Sequence, residues 1–394
     1  MNPVSPLPAL VALLAALGTT VLLVKRFGAP KQEGRFAAID GLRGYLAFFV
    51  FVHHAAIWYF FLRSGEWKPS PSNLYTHFGQ TSVAMFFMIT GFLFFTKLLN
   101  GRRRPVDWLQ LAVSRVMRIA PLYLFAMVCL FTIVTVISGG MLNVPESKLA
   151  KSVTQWMLFT VAGAPDVNGV AQTSNILARV PWTLPYEWFF YLSLPLLALG
   201  IRVDVPRRYV VLGAVAMGLM LVVWRPETHN MLSFLGGIVA AVVAASKRLD
   251  GVASSKWASV AVIACLAAVV ALFPTTHEPT PVLLISVAFT LIACGANLFG
   301  VLTHAVSRTL GEMAYSIYLL HGLVLFLFFH WLPRSGLGLP DSVAHWAFVV
   351  ALTPVLIGLS FLTFSGIEKP AMQSTARVTQ WLRLRFGKVS AVAV

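Results

Sequence analysis

Residues 35–55 read Arg-Phe-Ala-Ala-Ile-Asp-Gly-Leu-Arg-Gly-Tyr-Leu-Ala-Phe-Phe-Val-Phe-Val-His-His-Ala, a stretch that begins charged and becomes apolar. An α-helix turns about 100° and rises about 1.5 Å per residue, so Arg43 and His54 fall about 20° apart in azimuth and about 16 Å apart in height. His53 points about 80° away from that face. Because ionisable groups inside a bilayer are costly unless they face the protein interior or water, the pattern predicts a functional face. The alternative is an interfacial arginine beside a packed core histidine.

The composition is typical of a protein with many membrane-spanning helices. Of the 394 residues, 58% are hydrophobic and 11% are charged, and the mean hydropathy is +0.79. Soluble domains carry about 25% charged residues. Since apolar runs of about twenty residues indicate helices and not a barrel, we predict an all-α, polytopic transmembrane helix bundle with about ten core spans plus one N-terminal span.

The net charge of +16 is explained by where the basic residues lie. With the N-terminus outside, roughly three Lys or Arg residues fall on the inner side for each one outside, as the positive-inside rule requires. The charge therefore indicates a lipid bilayer as partner and not nucleic acid. It places residues 100–108 and the tail after residue 370 in the cytoplasm, and residues 139–183 outside.

The segment Ile39-Asp-Gly-Leu-Arg-Gly44, followed by His54-Ala55, resembles the opening signature of the membrane acyltransferase-3 family. In that family an Arg and a His are separated by ten residues on the first core helix. Its members move acyl groups, often acetyl, from cytoplasmic acyl-coenzyme A to extracytoplasmic glycans and some small molecules.

Later elements follow in the order that the family shows. Thr90 stands where the family usually has Ser, and its hydroxyl is kept. The matched elements are Phe86-Phe-Met-Ile-Thr-Gly91, Arg115-Val-Met-Arg118 before Pro121, Trp182-Thr-Leu-Pro-Tyr-Glu187-Trp-Phe-Phe-Tyr191, Leu310-Gly311 with Tyr315-Ser316, Tyr318 and His321, and Gly366-Ile-Glu-Lys-Pro370.

The resemblance implies a membrane acyltransferase domain at residues 35–370 without a fused hydrolase-like domain. Residues 1–34 are then an N-terminal transmembrane helix and linker, and residues 371–394 are a basic cytoplasmic tail.

Catalytic roles are expected for His54, Arg43 and Glu187. A thioester is already activated, so acyl transfer mainly needs a base near the incoming hydroxyl and hydrogen-bond donors for the oxyanion. His54 suits the base because imidazole exchanges its proton near neutral pH. Glu187 would orient the acceptor or a histidine, or assist as a second base; a favourable interaction with the helix dipole is its other interpretation. Whether His54 is a general base or is itself acylated stays open.

Binding roles are expected for two further groups of residues. Arginines on the predicted inner side suit the phosphates of coenzyme A, and these are Arg102, Arg103, Arg115 and Arg118. The positive-inside rule alone explains the first two better than the last two. The residues expected to bind substrate are Trp182, Tyr318 and His321. No residue pattern predicts a metal site.

The sequence as a whole predicts a multi-pass O-acyltransferase of a bacterial inner membrane. The expected donor is acyl-CoA, with acetyl-CoA first, and the expected acceptor is a hydroxyl of a glycan or glycolipid of the cell envelope. The alternatives are an enzyme that acylates a small metabolite, and a proton-coupled transporter whose Arg, His and Glu residues form a relay.

Overall fold

The computed structural model describes residues 2–30, 36–332 and 338–386. Arg35, where the predicted domain begins, and the predicted tail beyond residue 386 lie outside these ranges. Within them the regular structure is helical apart from one isolated bridge. The helices are α1 (Pro6–Phe27), α2 (Ala37–Ser64), α3 (Asn73–Gly101), α4 (Trp108–Ile137), α5 (Glu146–Met157), α6 (Leu184–Gly200), α7 (Arg207–Val223), α8 (Thr228–Ser246), α9 (Asp250–Ala253), α10 (Lys256–Leu272), α11 (Pro279–Cys294), α12 (Ala305–Glu312), α13 (Ala314–Phe329), α14 (Ser342–Thr363), α15 (Lys369–Gln373) and α16 (Thr375–Phe386).

The all-helical bundle is confirmed, and the predicted number of spans is not. In the described ranges six helices are long and apolar enough to cross a membrane, or seven if α12 and α13 form one bent span. Helices α10 and α11 are apolar but shorter, so length and composition alone do not establish that they span.

Helix α2 lies between α3, α12 and α13, and its glycines allow the close approach of α12. A Cβ atom on Gly41 would lie 1.9 Å from the carbonyl oxygen of Leu302, and one on Gly311 would lie 1.8 Å from the carbonyl oxygen of Asp40. No side chain fits at either position without moving the backbone. The glycines of two matched motifs therefore hold α12 against α2, and the chain bends by 64° between α12 and α13 directly afterwards.

Helices α3 and α8 are also joined through glycines. A Cβ on Gly237 would lie 2.0 Å from the carbonyl oxygen of Met88, and one on Gly91 would lie 2.5 Å from that of Phe234. Small residues at helix contacts are typical of membrane bundles. In the motif Phe86–Gly91, Gly91 therefore packs against α8, whereas the neighbouring Thr90 lines a cavity.

The two ends of the bundle can be named from the residues found there. At one end the chain before α1 meets the start of α3, where Tyr75 Oη donates to the Ser5 carbonyl oxygen at 2.8 Å. We call it the histidine end; it is the end predicted to be extracytoplasmic. At the opposite end, α1 finishes with Lys25 and Arg26, and α2 and α4 begin. We call that the arginine end.

Candidate active site

A cavity of about 330 Å³ lies near the arginine end, between α2, α3, α4, α6 and α13. We call it the arginine cavity. Much of its wall is apolar, including Phe86, Phe87 and Leu93. Its ionisable and hydroxyl groups converge from five helices and the residue before α6, and they are Arg43, Thr90, Arg115, Arg118, Thr183, Glu187, Tyr191, Tyr315 and Tyr318.

Arg43 enters this cavity without a partner. Among the described residues it makes no hydrogen bond, and no carboxylate lies within 4 Å of its guanidinium. The charges that act on it from further away are those of Asp40, Glu368, Glu187 and Arg118. The planar guanidinium of Arg43 therefore keeps its five N–H donors for a ligand.

Arg118 is paired, but loosely. Its Nη1 lies 3.5 Å from Oε2 of Glu368 and donates to the sulfur of Met372 at 3.0 Å. Glu368 is fully buried on a π-helical turn, Phe364–Glu368, and accepts a hydrogen bond from Ser316. Arg118 Nη2 and Glu368 Oε2 have no hydrogen-bond partner among the described residues. The ion pair thus holds Arg118 at the cavity and leaves its Nη2 donors unbonded among the described residues.

Glu187 belongs to the same cavity. Its Oε2 accepts a hydrogen bond from Tyr191 Oη at 2.8 Å. Arg115 lies over the ring of Phe94, with its guanidinium carbon 4.8 Å from the ring centroid. Glu187 does not line the cavity that contains His54, and its predicted role as an orienting residue or second base stays a prediction.

A second cavity, of about 300 Å³, lies near the histidine end, and we call it the histidine cavity. Its polar groups are already bonded to one another. Asn230 Nδ2 donates to Glu227 Oε2 at 3.2 Å, and the Thr276 N–H donates to Gln80 Oε1 at 2.8 Å. The polar and aromatic residues that line it are His53, His54, Gln80, Trp182, Glu227, His229, Asn230, Thr276, His277 and Tyr318.

The two cavities share part of their walls. Val83 and Tyr318 line both. The Tyr318 hydroxyl lies 3.0 Å from Thr183 Oγ1 and 3.3 Å from the Val180 carbonyl oxygen, which holds the ring in place. A single layer of side chains therefore separates the cavity with the arginines from the cavity with His54.

His54 lines the histidine cavity, and one of its two ring nitrogens is hydrogen-bonded. Its Nδ1 lies 2.9 Å from the Val50 carbonyl oxygen and 3.1 Å from Nε2 of His321. Its Nε2 has no hydrogen-bond partner among the described residues. The side chain is partly exposed, and Trp67 stacks near it at 6.2 Å between ring centroids. His54 Nε2 is thus left for a ligand.

His53 has a different environment. Its Nδ1 lies 2.7 Å from the Tyr75 carbonyl oxygen, and its ring packs where Gly79 has no side chain. A Cβ on Gly79 would lie 2.5 Å from the ring. His53 therefore joins α2 to α3, although one edge of it also reaches the histidine cavity.

The comparison with protein families matches this chain over most of its length. A family model described as an acyltransferase domain, acyltransferase-3, covers residues 36–365. The chain belongs to the acyltransferase-3 family. Comparisons with curated proteins and with solved structures gave no match. Family membership and the apolar helices together make the protein a multi-pass membrane acyltransferase, and they leave no support for the transporter alternative.

The structure of this acyltransferase brings most of the predicted site residues to the two cavities. Arg43, Glu187, Arg115 and Arg118 line the first, and Tyr318 lies in the shared wall.

The remaining predicted residues are placed differently. His54 and Trp182 line the second cavity, and Trp182 is 43% exposed at its rim. Arg102 and Arg103 are exposed in the turn after α3 and line neither cavity; Arg102 Nε donates to the Ile201 carbonyl oxygen at 3.0 Å. His321 is fully buried behind His54 and lines neither cavity, and its predicted contact with substrate stays a prediction.

Several lining residues were not predicted from the sequence. Gln80, Glu227 and Asn230 lie near the starts of α3 and α8, where polar residues are common in any membrane protein, and only the fold brings them together. Glu368, which lines neither cavity, lies in the matched Gly366–Pro370 motif, and the sequence does not indicate its partner. In the described part of the chain, no group of three or more His, Cys, Asp or Glu side chains is arranged for a metal ion.

Proposed function

We propose that this acyltransferase moves an acyl group, with acetyl the expected one, from cytoplasmic acyl-CoA to a hydroxyl of an extracytoplasmic glycan or glycolipid. The membrane would be the inner membrane of a bacterium, and the reaction would modify envelope polysaccharide. The observation that carries the proposal is the meeting of two unlike cavities at one wall, formed by Val83 and Tyr318.

The arginine cavity suits the donor. The phosphates of coenzyme A are anionic, and guanidinium groups bind phosphate through paired N–H donors. Arg43 has no partner in the part of the chain that the structure describes, and Arg115 and Arg118 line the same space from α4. The apolar part of the wall suits a pantetheine arm, whose amide N–H groups find an acceptor in Glu187. Arg43, Arg115 and Arg118 lie near the starts of α2 and α4, at the end that the charge distribution predicts to be cytoplasmic.

The histidine cavity suits the acceptor. Its lining offers neutral and acidic hydrogen-bonding groups to hydroxyls, from Gln80, Glu227 and Asn230. The exposed ring of Trp182 at the rim offers a flat apolar surface of the kind on which a sugar ring packs. The cavity lies at the end predicted to be extracytoplasmic.

The chemistry follows from these positions. The acceptor hydroxyl gives its proton to His54 Nε2 while its oxygen attacks the thioester carbonyl carbon. The new ester C–O bond forms, the C–S bond breaks, and the proton passes from His54 to the leaving thiolate, so that coenzyme A departs as the free thiol. His54 acts here as general base. For the attack to occur, the thioester end of the donor passes the shared wall at Val83 and Tyr318 and reaches the acceptor beside His54.

The proposal is tested with inverted membrane vesicles that contain the overproduced protein and enclose native envelope glycans. Radiolabelled acetyl-CoA is added outside, on the cytoplasmic face. We expect label to appear in the enclosed glycan or glycolipid fraction as an ester that mild base releases. Vesicles with the His54→Ala protein are the control.

Three outcomes can be told apart. Label in the glycan fraction that depends on His54 supports the proposal. Label in a soluble small molecule assigns the alternative acceptor, a metabolite. Label that is unchanged in the His54→Ala vesicles overturns the catalytic assignment.

A further inference from the structure

A second histidine stands directly behind the proposed base. His321 Nε2 lies 3.1 Å from His54 Nδ1, and the two rings are 5.0 Å apart between centroids. His321 comes from α13, where it is fully buried, and it reaches neither cavity. It therefore contacts His54 from the protein interior, on the side away from the cavity lining.

The contacts of His321 fix where its proton is. Its Nδ1 lies 3.1 Å from the Ile317 carbonyl oxygen, which can only accept a hydrogen bond. In the neutral ring one nitrogen carries the proton and the other is an acceptor. Nδ1 of His321 is therefore the protonated nitrogen, and its Nε2 presents a lone pair to His54.

The same reasoning then fixes His54. Its Nδ1 faces two acceptors, the Val50 carbonyl oxygen at 2.9 Å and the His321 Nε2 lone pair at 3.1 Å. Nδ1 of His54 must carry the proton, so Nε2 is the basic nitrogen, and it is the one left without a partner at the cavity. A general base must present its unprotonated nitrogen to the substrate. His321, which lines neither cavity, sets that orientation for His54.

We propose that His321 is the positioning residue of the reaction: it holds His54 in the Nδ1–H tautomer and accepts from Nδ1–H when His54 becomes an imidazolium. This inference rests on the proposed function, in which His54 is the base. The proton taken from the acceptor hydroxyl resides on His54 Nε2 and returns to the thiolate, and the Nδ1 proton stays in place throughout. Without His321, the His54 Nδ1–H would have one acceptor, the Val50 carbonyl oxygen, which the helix backbone also uses as an acceptor.

The test compares His321→Leu, which removes the acceptor, with His321→Gln, whose side-chain carbonyl can accept from His54 Nδ1–H. We expect His321→Leu to lower kcat by about 10- to 100-fold, the range for one hydrogen bond to a charged group, with little change in either KM. We expect His321→Gln to recover most of that loss. His345→Leu is the matched control, because His345 is equally buried and contacts α2 at the Ala55 carbonyl oxygen.

A second measurement reports the tautomer without activity. In protein labelled with ¹⁵N-histidine in lipid vesicles, the His54 signal, identified by its loss in His54→Ala, should show a protonated Nδ1 and an unprotonated Nε2. His321→Leu should change that signal and His345→Leu should not. Each variant must also run as a single species on size exclusion.

The inference and the proposed function fail in different ways. If His54→Ala kept normal turnover, the proposed function would be lost whatever His321 does. If His54→Ala were inactive while His321→Leu kept both its kcat and its His54 tautomer signal, the positioning role alone would be wrong. Equal losses in His321→Leu and His345→Leu would also overturn it, because they would reduce His321 to a packing residue.

Discussion

The two cavities differ in how much of their bonding the protein already supplies. In the arginine cavity Arg43 has no partner among the described residues, and Arg118 has a 3.5 Å contact with Glu368 and a hydrogen bond to the Met372 sulfur. In the histidine cavity the polar groups bond to one another, as Asn230 does to Glu227. A site with unsatisfied cations is prepared for an anion, whereas neutral and acidic groups that bond to one another can exchange those bonds for bonds to hydroxyls.

The difference also separates binding from chemistry. Cations at the first cavity would bind the donor with equal strength before and during the reaction, which lowers KM but does not by itself raise kcat. His54 at the second cavity changes its protonation state only as the reaction proceeds, so its contribution is to kcat. Variants of the arginine cavity should therefore change the donor KM, and variants of His54 should change kcat.

The largest effect is expected at the base. His54→Ala should lower kcat by about 10²–10⁴-fold, the usual contribution of a general base, and leave donor affinity nearly unchanged. His53→Ala should keep most of the turnover, because its Nδ1 bonds the Tyr75 carbonyl oxygen. Turnover and acyl-CoA binding would be measured on protein reconstituted in vesicles. An inactive His53→Ala beside an active His54→Ala would exchange the roles assigned to the two residues.

The next effect is expected at the donor end. Arg118→Ala and Arg115→Ala should each weaken acyl-CoA binding by about 1.5–3 kcal/mol, or about 10- to 100-fold, because each removes a hydrogen-bonded contact to a charged phosphate. Isothermal calorimetry on purified protein measures this directly. Arg207→Ala, an exposed arginine at the start of α7, is the matched control. Unchanged donor affinity in folded Arg118→Ala protein would remove the arginine cavity from the donor site.

Much of this arrangement could be predicted from the sequence because α2 is a regular helix. Helical arithmetic placed Arg43 and His54 on one face and turned His53 away from it. The same arithmetic gave a separation of about 16 Å in height, and the structure puts the two residues in different cavities. The apolar runs predicted where the helices lie. However, α3 and α4 begin well before their apolar parts, because their first turns carry polar side chains in the protein interior or at its edge.

Other features depend on contacts between distant segments and could not be predicted. The chain bends by 64° between α12 and α13, next to the close approach of Gly311 to the Asp40 carbonyl oxygen, and no local sequence pattern indicates that approach. His321 lies in a matched motif, which predicts a functional role. Only the fold shows that its Nε2 contacts His54 Nδ1. Glu368 and Arg118 are far apart in the chain, and no local pattern pairs them.

A smaller effect is expected at the rim of the histidine cavity. Trp182→Ala should raise the acceptor KM by about 2- to 13-fold, the equivalent of the 0.5–1.5 kcal/mol of an aromatic contact, and should leave donor affinity unchanged. Initial rates at varied acceptor concentration measure it. Trp381→Ala, which removes a tryptophan of similar exposure in α16, is the control. A weaker donor affinity in Trp182→Ala would show that the wall between the cavities does not separate the two substrates.

The smallest effect is expected at Arg103, and it decides how far the donor site extends. The sequence assigned Arg103 to phosphate binding, whereas the structure places it in an exposed turn outside the arginine cavity. An exposed charge pair contributes about 0.2–1 kcal/mol and is screened by salt, so Arg103→Ala should raise the donor KM by less than about fivefold. That rise should disappear when the salt concentration is increased, while the effect of Arg118→Ala should persist because Arg118 is largely buried. Donor KM measured for both variants at low and high salt separates the two cases. A large loss in Arg103→Ala that survives high salt would mean that the nucleotide part of the donor lies on the turn after α3, and the donor site would then have to be extended from the arginine cavity to that surface.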